Sequence, residues 1–376
     1  MKRKKISIVF GTRPEAIKLA PVILELKKQK EFEINICVTA QHRQMLDQVL
    51  EVFEINPDID LGLMRKNQSL SELSERALIA LDKYYKEYKP DLVLVQGDTT
   101  TVFIASLVAY YNKIEIGHVE AGLRTWNKFS PYPEEINRVL TTKLTDIHFA
   151  PTQLSKNNLL KENVSEEKIF VTGNTVIDAL LIAREKIRNR KMLIEGLPEF
   201  LQNGSAHNII LVTGHRRENF GVGFENICSA IAELANEFKD YEFIYPVHLN
   251  PNVQKPVFKI LSGYKNIHLL KPLDYLPFVY VMDKSKIILT DSGGVQEEAP
   301  SLGKPVLVMR ENTERPEGVD AGTVKIVGIS KKKIISETEK LLLDVNEYNK
   351  MAEAVNPYGD GLAAKRIKRI LKKNFN

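Results

Sequence analysis

Residues able to do chemistry recur in this chain at one kind of place, just beyond a short apolar run. The fullest example is 286–317, KIILTDSGGVQEEAPSLGKPVLVMRENTERPE. Lys286–Thr290 suits a buried strand, Asp291-Ser292-Gly293-Gly294 a turn, Val295–Leu302 a helix closed by Gly303, and Pro305–Met309 the next strand. Free backbone N–H groups and the positive end of the helix dipole converge at such a turn, and glycines let a phosphate come close. Glu298, leaning back toward the helix start, reaches the hydroxyls of a ribose attached to that phosphate. Arg315 adds a planar fork suited to phosphate oxygens. An ordinary β–α turn with a solvated glutamate fits the same residues.

Other apolar runs end in comparable groups. Gly11-Thr12-Arg13-Pro14-Glu15 follows the first, with Pro14 suited to the first helical position, Arg13 just before it and Lys18 a turn further on. Gly97-Asp98 precedes three threonines, and the default role for Asp98 is to cap the following helix. Glu120 ends another run and is followed by Ala121-Gly122, which is harder to explain structurally. Glu134 opens a helix, where an acidic residue favours the dipole, and is spaced i,i+4 from Arg138. Gly214-His215-Arg216-Arg217 fits an anion again, and His248 closes a further run. Cations, glycines and a ribose acceptor make a nucleotide-diphosphate site, and Asp98, Glu120 and Glu134 are more carboxylates than a ribose needs. They fit acid–base work.

The elements that position these groups alternate from end to end: apolar run, turn, amphipathic helix. Eleven strands are expected, separated mostly by helices, which implies parallel sheets with covered faces. At 376 residues two domains are expected. The rhythm changes near Thr172–Thr175, giving an N-terminal Rossmann-like domain at 1–173 and a C-terminal Rossmann-like, nucleotide-binding one at 174–360, with an amphipathic helix at 361–376 packing back on the first. The fold class is α/β, two Rossmann-like domains facing a central cleft, with ligands outside the carboxyl ends of the strands.

Composition excludes several classes. The formal charge of +5 is modest for this length, so no nucleic-acid partner is expected. No run approaches the roughly 18 apolar residues of a membrane helix, and the short run after MKRKK is no signal peptide. The two cysteines, Cys37 and Cys228, have no metal or disulfide spacing and read as core residues of a cytoplasmic protein. No GxGxxG follows a predicted strand and no HExxH or P-loop is present, so neither nicotinamide nor metal is expected.

GTRPEAIKLAP, QGDTTT, GHVEAGLRT, PYPEEINR, TGHRRENFG and DSGGVQEEAPSLGKPVLVMR…TERPE, in this order from Ile6 to about Gly361, resemble the non-hydrolysing bacterial UDP-N-acetylglucosamine 2-epimerases. The resemblance implies a glycosyltransferase-B type of fold, a homodimer, no cofactor, and interconversion of UDP-GlcNAc and UDP-ManNAc for cell-surface polysaccharides. It places Arg13, His215, Ser292, Gly293, Gly294, Glu298 and Arg315 around UDP, with Phe278 against the uracil. Lys18, Asp98, Glu120, Glu134 and Arg138 fall around the sugar. Asp98, Glu120 and Glu134 then do the acid–base work and His215 helps the leaving phosphate. A second UDP-GlcNAc, an allosteric activator, would contact Gln41, Gln44, Arg216 and His248. Asn67 and Gly214 depart from the family pattern, at positions where arginine and alanine respectively occur.

The chemistry fits these residues. The C2 proton of a hexose is not acidic, and oxidation at C3 would need a nicotinamide. Expelling UDP first gives C1 oxocarbenium character, makes the C2 proton labile and yields a 2-acetamidoglucal. Reprotonation on the opposite face and return of UDP give the epimer. Alternatives are a hydrolysing relative releasing UDP and ManNAc, a glycosyltransferase, which would need an acceptor groove, and a non-catalytic sugar-nucleotide sensor.

Overall fold

The apolar runs become strands because helices cover both faces of the sheets they form, so nearly every side chain of a run is buried. The computed structural model of the chain describes residues 3–39, 43–63, 65, 68–189, 197–202 and 208–375, apart from the side chains of 43–45. Gln41, Asn67 and the side chain of Gln44 lie outside the described residues.

Two compact units are present, the first comprising Met1–Leu181 and Tyr358–Asn376, the second Ile182–Pro357. The first holds β1 (Lys4–Phe10), β2 (Phe32–Val38), β3 (Ile59–Asp60), β4 (Leu92–Gln96), β5 (Glu115–Val119), β6 (Ile147–Ala150) and β7 (Ile169–Val171). The second holds β8 (Ile209–Thr213), β9 (Glu242–Pro246), β10 (Ile267–Leu270), β11 (Ser285–Thr290), β12 (Val306–Val308) and β13 (Val324–Ile326). This is the expected α/β class, with β3 and β13 as additional edge strands.

All ladders are parallel. The first sheet runs β3-β2-β1-β4-β5-β6-β7 and the second β10-β9-β8-β11-β12-β13. Both orders reverse direction once, between β1 and β4 and between β8 and β11. At such a reversal the following loops diverge to opposite faces and leave a crevice at the strand tips. Four of the groups singled out above follow β1, β4, β8 and β11, while Glu120 follows β5 and His248 follows β9.

The helix Ala363–Phe375 belongs to the first unit. Its apolar face, Ala363, Ala364, Ile367 and Leu371, is buried. Lys368 reaches Glu25 at 2.9 Å, and Phe375 meets Phe32 edge-on at 6.4 Å between ring centroids. Asp178 accepts from the backbone N–H groups of Ala363 (3.2 Å) and Ala364 (2.9 Å), satisfying two donors that a helix start leaves open. No described helix is long and apolar enough to cross a membrane.

Candidate functional site

In the first unit the tips of β1, β4 and β5 meet. The helix after β1 starts one residue earlier than its proline suggests, at Arg13, with Pro14 second. Thr12 is the cap: Glu15 Oε2 accepts from Thr12 N at 2.7 Å, Thr12 Oγ1 at 2.9 Å and Gly11 N at 2.8 Å. Its other oxygen takes the Thr99 hydroxyl at 2.5 Å, so one carboxyl ties the β1 turn to the β4 turn. Burial raises the pKa of Glu15, against the lowering effect of these donors. A Cβ on Gly11 would lie 2.1 Å from Thr39 Oγ1 and 3.1 Å from Thr101 Oγ1, so a larger residue beneath this turn would have to displace those buried hydroxyls. Arg13 is half-buried and makes no hydrogen bond or ion pair among the described residues.

Asp98 does not cap the next helix. Thr99 does, its hydroxyl accepting from Val102 N at 3.4 Å. The Asp98 carboxylate turns to Arg138, with Oδ2 2.8 Å from Nε and 2.7 Å from Nη2, while its carbonyl accepts from Asn137 Nδ2 at 2.9 Å. Arg138 also holds Glu135 at 3.0 Å, and Glu135 accepts from the backbone N–H groups of Thr125 and Trp126, closing the loop before the helix Glu134–Leu144. Glu134, first in that helix, is half-buried and makes no hydrogen bond or ion pair among the described residues.

Glu120, one residue beyond β5, is 7% exposed and has φ +64°, a left-handed conformation uncommon for a residue with a side chain. A buried carboxylate needs donors. Lys18 Nζ approaches Oε1 at 2.5 Å, Asn174 Nδ2 the same oxygen at 3.2 Å, and Gln96 Nε2 donates to Oε2. Gly97 N donates to Val119 O at 3.1 Å, continuing the ladder past the two strand ends. The structure thus pairs Lys18 with Glu120 and Arg138 with Asp98, the two carboxylates lying just beyond the adjacent strands β5 and β4. Sequence reasoning missed Glu15, Gln96, Asn137 and Asn174. A polar residue ending a run as apolar as LVLVQ was the available signal for Gln96.

In the second unit Asp291, fully buried at the end of β11, organises the loop after β8. Its Oδ2 accepts from His215 N and Arg216 N, both at 2.8 Å, and from Asn219 Nδ2 at 3.4 Å. His215 Nδ1 stands 3.4 Å from Asp291 Oδ1, and its ring stacks on that of the exposed His248, centroids 5.4 Å apart. Burial lowers the His215 pKa, Arg216 and His248 add to this, and Asp291 opposes it.

The helix expected at Val295–Leu302 spans Gly293–Glu298 and tightens to a 3₁₀ turn over Ala299–Leu302, ended by Gly303 at φ +67°. A Cβ on Gly293 would lie 3.8 Å from Arg216 Nη2 and 4.0 Å from Arg315 Nη2, so two guanidiniums converge over the Ser292–Gly294 turn. Two planar cations at a helix start make a diphosphate-type anion site. Arg315 is oriented by an ion pair with buried Glu297. Glu298 Oε1 lies 3.6 Å from a Cβ built on Gly294, on the same turn. Phe278, on the helix Tyr275–Lys284, is partly exposed. Arg216 and His248, which the resemblance assigns to an activator, thus stand beside residues that it assigns to UDP.

The profile of the family described as UDP-N-acetylglucosamine 2-epimerase matches residues 24–372. This chain belongs to that family. The UDP-N-acetylglucosamine 2-epimerase of Escherichia coli K12 is 55% identical over 98% of this chain and 99% of its own. The crystal structure of UDP-GlcNAc 2-epimerase from Neisseria meningitidis, bound to UDP-GlcNAc, has a TM-score of 0.90 and 54% identity, covering 98% of this chain and 100% of that one. The Methanocaldococcus jannaschii UDP-GlcNAc 2-epimerase, in complex with UDP-GlcNAc and UDP, has a TM-score of 0.80 at 38% identity, covering 98% and 99%. Among the described residues of this epimerase-family chain, no three His, Cys, Asp or Glu side chains form a group that could hold a metal ion.

Proposed function

We propose that this protein is a non-hydrolysing UDP-N-acetylglucosamine 2-epimerase, an isomerase interconverting UDP-GlcNAc and UDP-ManNAc. The observation carrying this reading is the presence of two constellations, one in each unit, in a chain of that family. One unit fixes Asp98 and Glu120 on neighbouring strand tips, and the other converges Arg216 and Arg315 on a strand–turn–helix.

UDP leaves C1 with its bonding electrons, and C2 loses its proton, giving the 2-acetamidoglucal. Arg13, Arg315 and the Ser292-Gly293-Gly294 turn take the charge that develops on the diphosphate, His215 assists, Glu298 holds the ribose, and Phe278 packs against uracil. Such preorganised donors act where charge appears. Asp98, Glu120 and Glu134 carry the proton off one face and return one to the other, with Lys18 and Arg138 against the sugar. UDP then re-adds to C1. UDP-GlcNAc also acts as activator through Gln41, Gln44, Arg216 and His248. The enzyme works as a cytoplasmic homodimer supplying cell-surface polysaccharide synthesis.

The test is NMR of purified protein with UDP-GlcNAc in D2O and no added cofactor. UDP-ManNAc deuterated at C2, with little free UDP, is expected. Accumulating UDP and free ManNAc would indicate the hydrolysing reaction, and no turnover even with excess UDP-GlcNAc would sink the reading.

A further inference from the structure

Glu120 is held more firmly than a buried carboxylate needs to be. Glu120 sits in a left-handed backbone conformation (φ +64°) that is unfavourable for a residue with a side chain, and such strain persists where the surroundings over-determine it. The surroundings here include two amides that no assignment above uses. Gln96 is 2% and Asn174 3% exposed, and both donate to Glu120, one to each carboxylate oxygen.

The orientation of each amide is fixed. Asn174 Oδ1 accepts from Val176 N at 3.0 Å, so its NH2 must face Glu120. Asn174 is itself anchored, its backbone N donating to the carbonyl of buried Tyr358 at 2.7 Å. Gln96 ends a strand whose register with β5 is set by five consecutive residue pairs, and it faces an acceptor-only group. Lys18, by contrast, is a flexible cation that also fits a substrate contact.

We infer that Gln96 and Asn174 are positioning residues for the epimerisation, holding the Glu120 carboxylate in one rotamer against the proton it handles. This rests on the epimerase reading above. A misplacement of about 1 Å at a reacting group costs on the order of 10²-fold in rate. Neither amide need touch the sugar nucleotide, so their loss falls on kcat and not on KM.

Gln96→Met keeps the length and removes the donor. Asn174→Asp keeps the acceptor for Val176 N and sets a carboxylate against Glu120. For each variant, kcat, KM, UDP affinity by calorimetry and thermal unfolding are compared with wild type. The expected result is a kcat lower by on the order of 10²-fold, with KM and UDP affinity changed by less than about twofold and deuterium uptake at C2 falling with kcat. Wild-type kcat in either folded variant, or a loss carried by KM, overturns the inference. If Gln96→Met does not fold, Asn174→Asp makes the same comparison alone. A wild-type protein that does not interconvert the two sugar nucleotides sinks the proposed function and this inference together. Active wild type with equally active variants sinks only the inference.

Discussion

His118 donates its Nε2 proton to the carbonyl oxygen of Gly97 at 2.7 Å. The carbonyl can only accept, so the ring is the Nε2–H tautomer. The imidazole two residues before Glu120 thereby holds the turn that carries Asp98. Burial pushes the His118 pKa down to about 4, and that of His148, its register partner on β6, to about 3.

A pH dependence of stability follows. Above about pH 6.5 both rings are neutral in the folded and unfolded chain. Between that pH and the folded values the unfolded chain binds protons that the folded one does not, so stability falls as pH falls. At pH 5 each ring should cost on the order of 2 kcal/mol. Denaturant midpoints of wild type and His118→Gln measured between about pH 7 and pH 5 check this. The variant, which keeps an N–H donor, should show the shallower loss, and equal slopes would refute the assignment.

Asp98→Asn, Glu120→Gln and Glu134→Gln should each lower epimerisation by roughly 10²–10⁴-fold. Their stabilities should differ. Glu134 has no partner among the described residues, so its amide variant should melt with wild type. Glu120→Gln turns a buried three-donor acceptor into a neutral amide and should melt earlier. Turnover at the wild-type rate in any of the three removes that residue from the catalytic set.

Arg315→Ala should weaken UDP binding about tenfold or more, the scale of one lost charged hydrogen bond. It also strips the cation from buried Glu297, so the melting temperature should fall. Adding Glu297→Gln should recover stability but not UDP affinity. Calorimetry showing unchanged UDP affinity in Arg315→Ala would contradict the assignment.

Arg124 shares a motif with Glu120 but is built into the scaffold. Its side chain is fully buried, with Nε 2.6 Å and Nη2 2.9 Å from the two Glu162 oxygens and Nη2 2.8 Å from Thr142 Oγ1. Arg124→Met leaves Glu162 uncompensated and should cost about 3 kcal/mol or more of stability. The kcat per folded molecule should stay near wild type. A variant that melts normally but is inactive would mean Arg124 acts in the chemistry.

The strands were legible because covered parallel sheets write them as uninterrupted apolar runs, as LVLVQ and IILVT do. The edge strands β3 and β13, of two and three residues, were not, because Asp60 and Lys325 interrupt any apolar run there. Asp98 was legible as a reactive group but not as the partner of Arg138, 40 residues away, because an aspartate before threonines reads first as a cap. The amides on Glu120 come from 24 and 54 residues away and meet it only through strand register and a loop, which no local spacing encodes.

The helix Ala363–Phe375 closes the first unit with residues that follow the whole of the second unit in the chain. During synthesis the second unit, one continuous stretch, has all its residues outside the ribosome first. The first unit must wait, with the surface that meets this helix uncovered, until Ala363–Phe375 emerges. A protein usually imagined folding from its first residue onward here completes its first half last.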